Sequence, residues 1–194
     1  MKPIRRLVVA SKNFDKVTEI EAVLATVGLD IEIVRGLDWL DVDETGDTLE
    51  ENALLKARAV AAATGFPAVA DDTGLEVEAL NDAPGVMTGR FAGPDATYEE
   101  NVARLLSEMK SVNQRNATFR TVVALVTPEG EEIIGEGRLE GWIAHSPRGA
   151  FGFGYDPVFE VDGLTLSEMT IAEKNAVSHR ARALRSLVEV LASD

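Results

Sequence analysis

"RRLVVASKNFDKVTEIEAVLATVG", Arg5 to Gly28, decides how the chain folds. Arg5 to Ala10 is a short apolar run of the kind that forms a buried strand. "SKNFDK" then turns the chain. Beyond it Val17, Ile20, Val23, Leu24 and Val27 recur at helical spacing, and Gly28 is placed to stop the helix. The same order follows at once. Ile31 to Arg35 reads as a second strand and "DETGDT" as a polar loop. Thr48 and Glu51 form a capping box ahead of an Ala-rich helix that Gly65 ends. "FPAVADDTGLEVEAL", Phe66 to Leu80, supplies a third strand, which ends at the adjacent carboxylates Asp71 and Asp72. Strand, helix, strand, helix, strand in alternation points to an α/β protein with a mostly parallel core. Ligands of such sheets sit beyond the carboxyl ends of the strands.

The second half has a different grain. Leu80 to Ala96 is a long loop rich in turn formers. Thr97 and Glu100 make another capping box before a helix. Residues 117–144 read as two or three antiparallel strands turned at Pro128-Glu129-Gly130, so a β-rich portion follows the parallel one. "SPRGAFGFGYDPVFEVDG" is Gly-rich and aromatic, and about Ala176 to Ala192 reads as a final helix. No internal repeat or low-complexity linker interrupts this order, and 194 residues suit one α/β domain.

The net charge of −14 repels nucleic acid and anionic membranes, so neither is an expected partner. A small anionic ligand is compatible with it, provided Lys, Arg, backbone amides or metal ions gather locally. The absence of cysteine excludes disulfides, thiolate zinc sites and a cysteine nucleophile. The first apolar run is too short for a signal peptide, and no stretch nears the roughly 18 apolar residues of a spanning helix. The expected setting is soluble and cytoplasmic.

Three clusters carry possible chemistry. In the first, Ser11 and Asn13 offer donors at the start of a helix, Lys12 and Lys16 add positive charge, and free amides with the helix dipole favour an anion. The Gly-rich phosphate-loop pattern is absent. The same residues also suit an ordinary N-cap made by Asn13, with both lysines solvated. In the second, Asp71 and Asp72 repel unless a cation or proton shares their site. Mg²⁺ needs only one or two carboxylates, and Glu44 is a further candidate ligand. The two histidines, His145 and His179, lie far apart in sequence, which speaks against a histidine-rich zinc site. A strand end with a capped turn is the alternative. The third is "GFGYDP", Gly152 to Pro157, with "EKNAVSHR", Glu173 to Arg180. Phe153 and Tyr155 offer flat faces, while Asp156, Lys174, His179 and Arg180 offer directional polar groups. That combination suits a nucleobase; a tight turn with core aromatics is the other reading.

Taken in order, "VASKNFDK", "ETGDTLEENALLKA", "PAVADDTGLEVEAL", "APGVMTGRFAG", "GFGYDPVF" and "AEKNAVSHRARAL" resemble the Ham1/RdgB family of noncanonical purine nucleoside triphosphate pyrophosphatases, from Leu7 to about Leu187. The resemblance implies a single Ham1-like domain over residues 1–194. It is an α/β fold with an elongated mixed sheet and flanking helices, two lobes around a central cleft, and usually a homodimer. It implies Mg²⁺-dependent hydrolysis of dITP, ITP and XTP to the monophosphate and pyrophosphate. Carried over by residue, Ser11, Lys12, Asn13, Phe14, Asp15 and Lys16 would meet the triphosphate, with Lys56 nearby. Glu44 and Asp72 would hold the metal, Asp72 would also be the general base, and Thr73 would touch substrate. Phe153, Gly154, Tyr155 and Asp156 would frame the base with Lys174, His179 and Arg180.

Three positions depart from the family pattern. Asp15 stands where Gly is usual and must point outward. Met87 and Gly89 replace a common Tyr and Ala, which bears on the dimer contact or the cleft rim. A sensor that binds nucleotide without hydrolysis is a competing class; it would have no need for Glu44 and Asp72 together. A Maf-like pyrophosphatase of other base specificity is another, against which "SHR" and "GFGYDP" speak.

Overall fold

The computed structural model describes residues 4–26 and 31–193. The expected strand–helix alternation is present. β1 (Arg6–Val9) pairs in parallel with β2 (Glu32–Ile33) on one side and β3 (Ala68–Val77) on the other. α1 (Phe14–Leu24) and α2 (Leu49–Thr64) follow β1 and β2. Then come β4 (Ala83–Gly85), α3 (Tyr98–Glu108), β5 (Asn116–Val126), β6 (Glu132–Ile143), β7 (Phe159–Val161), β8 (Leu164–Thr165), α4 (Ile171–Val177) and α5 (His179–Ser193). The strands described form one mixed sheet in the order β2-β1-β3-β5-β6-β7-β8, with β4 paired to β3 off this path. No described helix is long and apolar enough to cross a membrane.

The chain divides into two compact units. The first comprises the described residues of Met1–Asp72, Thr121–Gly137 and His179–Asp194. Its core joins Leu7 and Val9 of β1, Val69 of β3, Ile20 of α1 and Leu184 and Leu187 of α5. Two glycines on β6 let α5 approach closely. A Cβ on Gly135 would lie 2.3 Å from the Ala183 carbonyl oxygen, and one on Gly137 2.2 Å from that of His179. The second unit comprises Thr73–Arg120 and Arg138–Ser178. Leu75, Val77, Leu105, Phe119, Tyr155 and Phe159 are prominent in its core.

Several elements differ from their expected bounds. β3 does not end at Asp71-Asp72 but runs on to Val77, because Leu75 to Val77 pair with β4 in antiparallel register and bury Leu75 and Val77. Strand pairing overrides the turn preference of Asp and Gly. α1 starts at Phe14, since Asn13 Oδ1 accepts from the Asp15 and Lys16 amides at 3.0 and 3.3 Å. Val27 and the stop expected at Gly28 lie outside the described residues. The final helix begins at His179 rather than Ala176. Ser178, at φ −62° and ψ 149°, is extended and separates it from α4. The loop from Leu80 holds β4 and a 3₁₀ turn at Thr88–Arg90. Both expected capping boxes, Thr48 with Glu51 and Thr97 with Glu100, are formed, and Gly65 caps α2 at φ 70°.

Candidate active site

Side chains alternate between the faces of a strand. Adjacent Asp71 and Asp72 therefore point to opposite faces of β3, and each meets its own cations. Asp71 shares the face of Val69, toward α1 and α5. There its Oδ2 lies 3.4 Å from Lys16 Nζ and accepts from Arg180 Nε and Nη2, both at 3.1 Å. Arg180 Nη1 also donates to Glu19. Burial alone would raise the Asp71 pKa, but Lys16, Arg180 and Lys56 outweigh it and hold the carboxyl far below the ordinary range. Asp72 faces α2. Its Oδ1 accepts from Lys56 Nζ at 3.1 Å, and its Oδ2 lies 3.4 Å from Asn52 Nδ2. Here burial wins: with the nearby Glu44 charge it raises the Asp72 pKa despite Lys56 and Lys16. The lysine stays charged. Burial opposes that charge, but Asp72, Asp71 and Glu44 together lift its pKa above the ordinary value.

Lys56 Nζ also donates to Glu44 Oε1 at 2.5 Å. Glu44 and Asp72, 28 positions apart in sequence, thus converge on one positive centre. Two hard oxygen donors around one cation match what Mg²⁺ takes from a protein, with phosphate oxygens and water completing its shell. Among the described residues no group of three or more His, Asp or Glu is arranged to hold an ion, so water would complete the shell of an ion held by these two carboxylates before substrate arrives. Beside this centre lies a cavity of about 370 Å³ lined by Ser11, Asn13, Lys16, Glu44, Lys56 and Asp71 among others. Lys12 lines it too and pairs with Asp41 at 2.6 Å. The α1 amides of Asp15 and Lys16 are engaged by Asn13 rather than free, as the N-cap reading had it. The lysines are not simply solvated, since each has a carboxylate partner.

The second unit holds its own polar centre. Lys174 Nζ donates to Asp156 Oδ2 at 2.5 Å, and both residues are buried, at 6% and 3% exposure. The same oxygen accepts from the Phe153 amide at 2.9 Å. Gly152, at φ +80°, makes this possible, because a Cβ there would lie 2.2 Å from Asp156 Oδ2. Lys174 Nζ sits 4.9 Å from the centroid of the Phe153 ring, and the Tyr98 ring is 5.9 Å from it. Tyr155 differs from expectation. It is packed in the core with its hydroxyl donating to the Thr88 carbonyl at 3.1 Å, and burial pushes its pKa up. Phe153, only partly buried, is the better placed of the two rings to offer a face.

Residues 7–190 match the Ham1 family. The chain belongs to the Ham1 family. A dITP/XTP pyrophosphatase of Streptomyces coelicolor is 46% identical over 194 residues, covering 96% of each chain. The structure of a HAM1 protein from Coxiella burnetii aligns with a TM-score of 0.87 at 40% identity, covering 98% of this chain and 100% of that one. A nucleoside-triphosphatase (dITP/XTP pyrophosphatase) from Mycobacterium abscessus aligns at 0.74 with 44% identity, covering 96% and 99%.

Within this Ham1 chain the expected residues fall into two groups. Ser11, Lys12, Asn13, Lys16, Glu44, Lys56 and Asp72 assemble in the first unit. Arg180 joins them through Asp71 and Glu19, and buried His179 opens α5 in the same unit. Phe153, Gly154, Tyr155, Asp156 and Lys174 belong to the second unit, which Thr73 begins, half-buried on β3. Phe14 is 80% exposed, and Asp15 is exposed as its substitution for Gly required. Gly89 has nothing within 4 Å of where a Cβ would stand, so the Ala expected there from the resemblance would fit equally well. Sequence reasoning missed Asn52, Glu19 and Asp41. Asn52 did leave a signal: it is a polar residue on the helix stripe of Ala53, Ala57 and Val60, where an apolar one is the rule.

Proposed function

We propose that this chain hydrolyses noncanonical purine nucleoside triphosphates, dITP, ITP and XTP, to the monophosphate and pyrophosphate, with Mg²⁺. One observation carries the reading: Glu44, Lys56 and Asp72 converge beside a lysine-lined cavity of about 370 Å³. Its support is the Ham1 membership and relatives named dITP/XTP pyrophosphatases. Glu44 and Asp72 would hold Mg²⁺, which when bound neutralises phosphate charge and acidifies a coordinated water.

The protein's own groups do the rest. Asp72, whose Oδ1 lies 3.1 Å from Lys56 Nζ beside the cavity, would take a proton from water attacking the α-phosphorus. The bond from that phosphorus to the bridging oxygen breaks, and pyrophosphate leaves with the electron pair. Lys16 and Lys56 meet the charge that builds on the leaving group. Asp71 does not react; it holds Arg180 and Lys16 in place. Lys174 and Asp156 supply a donor for a 6-oxo group and an acceptor for an N1 proton, with Phe153 stacking on the base. Lys174 takes the donor role in preference to Arg180, whose guanidinium is committed to Asp71 and Glu19. Adenine reverses donor and acceptor at that edge and would leave buried polar groups unpaired. The homodimer and cytoplasmic setting that the resemblance implies belong to the same reading, and the mass in solution checks the first.

The test is pyrophosphate release from ITP, dITP, XTP, GTP and ATP, with and without Mg²⁺. Release from ITP and XTP, lost in chelator and weak with ATP, is expected. Equal rates on ATP and ITP would defeat the edge argument, and binding without release would make the protein a sensor.

A further inference from the structure

We propose that Asn52 is a positioning residue that sets the spacing and orientation of Glu44 and Asp72. The inference rests on reading those two carboxylates as the cation-binding pair. Asn52 is 1% exposed and lies one turn before Lys56, so both side chains leave the same face of α2. Its Oδ1 accepts from the Gly46 amide at 2.8 Å, while its Nδ2 lies 3.4 Å from the Gly46 carbonyl oxygen and 3.4 Å from Asp72 Oδ2. A primary amide is suited to this, having an acceptor oxygen and two donor hydrogens.

The loop end of this bridge is tight. Gly46 follows Glu44 by two residues, and a Cβ on Gly46 would lie 2.6 Å from Glu51 Cβ and 2.8 Å from Asn52 Oδ1. The loop carrying Glu44 is therefore pressed onto the first turn of α2 through Asn52. The strand end matters equally. With Oδ2 of Asp72 beside Asn52, Oδ1 is the oxygen that meets the Lys56 ammonium, which Glu44 Oε1 also meets. Lys56 also spans the two carboxylates, but it is a charge that polyphosphate would recruit. Asn52 is neutral and buried, and it keeps the geometry whichever cation lies between the carboxylates. A residue supporting metal ligands in this way typically governs affinity by about 10–100-fold.

The experiment measures Mn²⁺ binding to the full chain by the electron paramagnetic resonance of free Mn²⁺, and the Mg²⁺ concentration giving half-maximal pyrophosphate release. The variants are Asn52→Leu, close in volume, Asn52→Ala and Gly46→Ala, with Glu44→Gln and Asp72→Asn as references and circular dichroism to check folding. At Asn52 we expect Mn²⁺ affinity to fall about tenfold or more, the half-maximal Mg²⁺ to rise in proportion, and the rate to recover at saturating Mg²⁺. Gly46→Ala should move both readouts the same way, and it decides the matter if neither Asn52 variant folds. Should Glu44→Gln and Asp72→Asn lose Mn²⁺ while folded Asn52 or Gly46 variants keep wild-type affinity, Asn52 serves stability alone and the proposal falls. Wild-type chain binding Mn²⁺ no better than those two references would instead sink the cation reading itself.

Discussion

Asp71 and Asp72 are neighbours in sequence with opposite electrostatic fates. Asp71 is buried against Arg180 and Lys16, and its folded pKa lies below the unfolded one. The stability it contributes is complete above the unfolded value of about 3.9 and is lost as pH falls through the folded value. Asp72 has its folded pKa raised, so what it contributes is complete below that unfolded value and is lost as pH rises through the folded one. At neutral pH its ionised form is held at a cost. Asp71→Asn should therefore destabilise by about 3 kcal/mol at pH 7, because it strands buried charge, with a deficit that narrows below about pH 4. Asp72→Asn should keep or raise the unfolding midpoint at pH 7 in chelator, yet cut turnover by about 10²–10⁴-fold. Urea titration and steady-state kinetics on both variants check the pair. A stable Asp71→Asn, or an active Asp72→Asn, would contradict the division of roles.

At the scale of elements, the contact of α5 with β6 shows how little room the first unit leaves. Gly135 and Gly137 share a strand face and meet α5 backbone at Ala183, Leu187 and His179. Gly137→Ala would force a methyl against the His179 carbonyl and the Ala183 amide nitrogen, at 2.2 and 2.3 Å before relaxation. Neither neighbour is a flexible side-chain end, so a loss of about 1–3 kcal/mol is expected in urea unfolding. An unchanged midpoint would mean that α5 shifts freely. The sequence carried the two capping-box helix starts well, while the start of α5 needed the structure. Thr48 with Glu51 and Thr97 with Glu100 read as capping boxes and are capping boxes, because a cap is a contact between residues three apart. It carried the extent of β3 poorly. Whether a strand continues past Asp72 depends on β4, and that pairing partner lies beyond any local pattern.

At the scale of the whole molecule, a net charge of −14 coexists with a cavity to which Lys12, Lys16 and Lys56 contribute positive charge. The two units carry separate polar centres, which gives the proposed activity a separable signature. A change in the first centre, such as Lys16→Met, should lower the rate on every triphosphate by a similar factor. Asp156→Asn in the second should change the ratio of ITP to ATP turnover, by about 10–100-fold toward ATP. Because the ratio compares two substrates on one preparation, any loss of folded protein from unpairing Lys174 cancels. An Asp156→Asn variant with an unaltered ratio would remove Asp156 from base selection.

Local order was what the sequence by itself determined: alternating elements, caps, the turn at Gly130, and the residue types from which a phosphate and metal site can be built. These follow from periodicity and short-range bonding, which a linear chain displays directly. Partnership was decided only by the tertiary structure. It sent Asp71 to Arg180 and Asp72 to Lys56, placed Tyr155 in the core, and put Asn52 between a loop and a strand. The two aspartates meet partners 109 and 16 positions away. Such meetings depend on which face of a strand each side chain leaves and which helix is packed there, and neither is written in the spacing of neighbours.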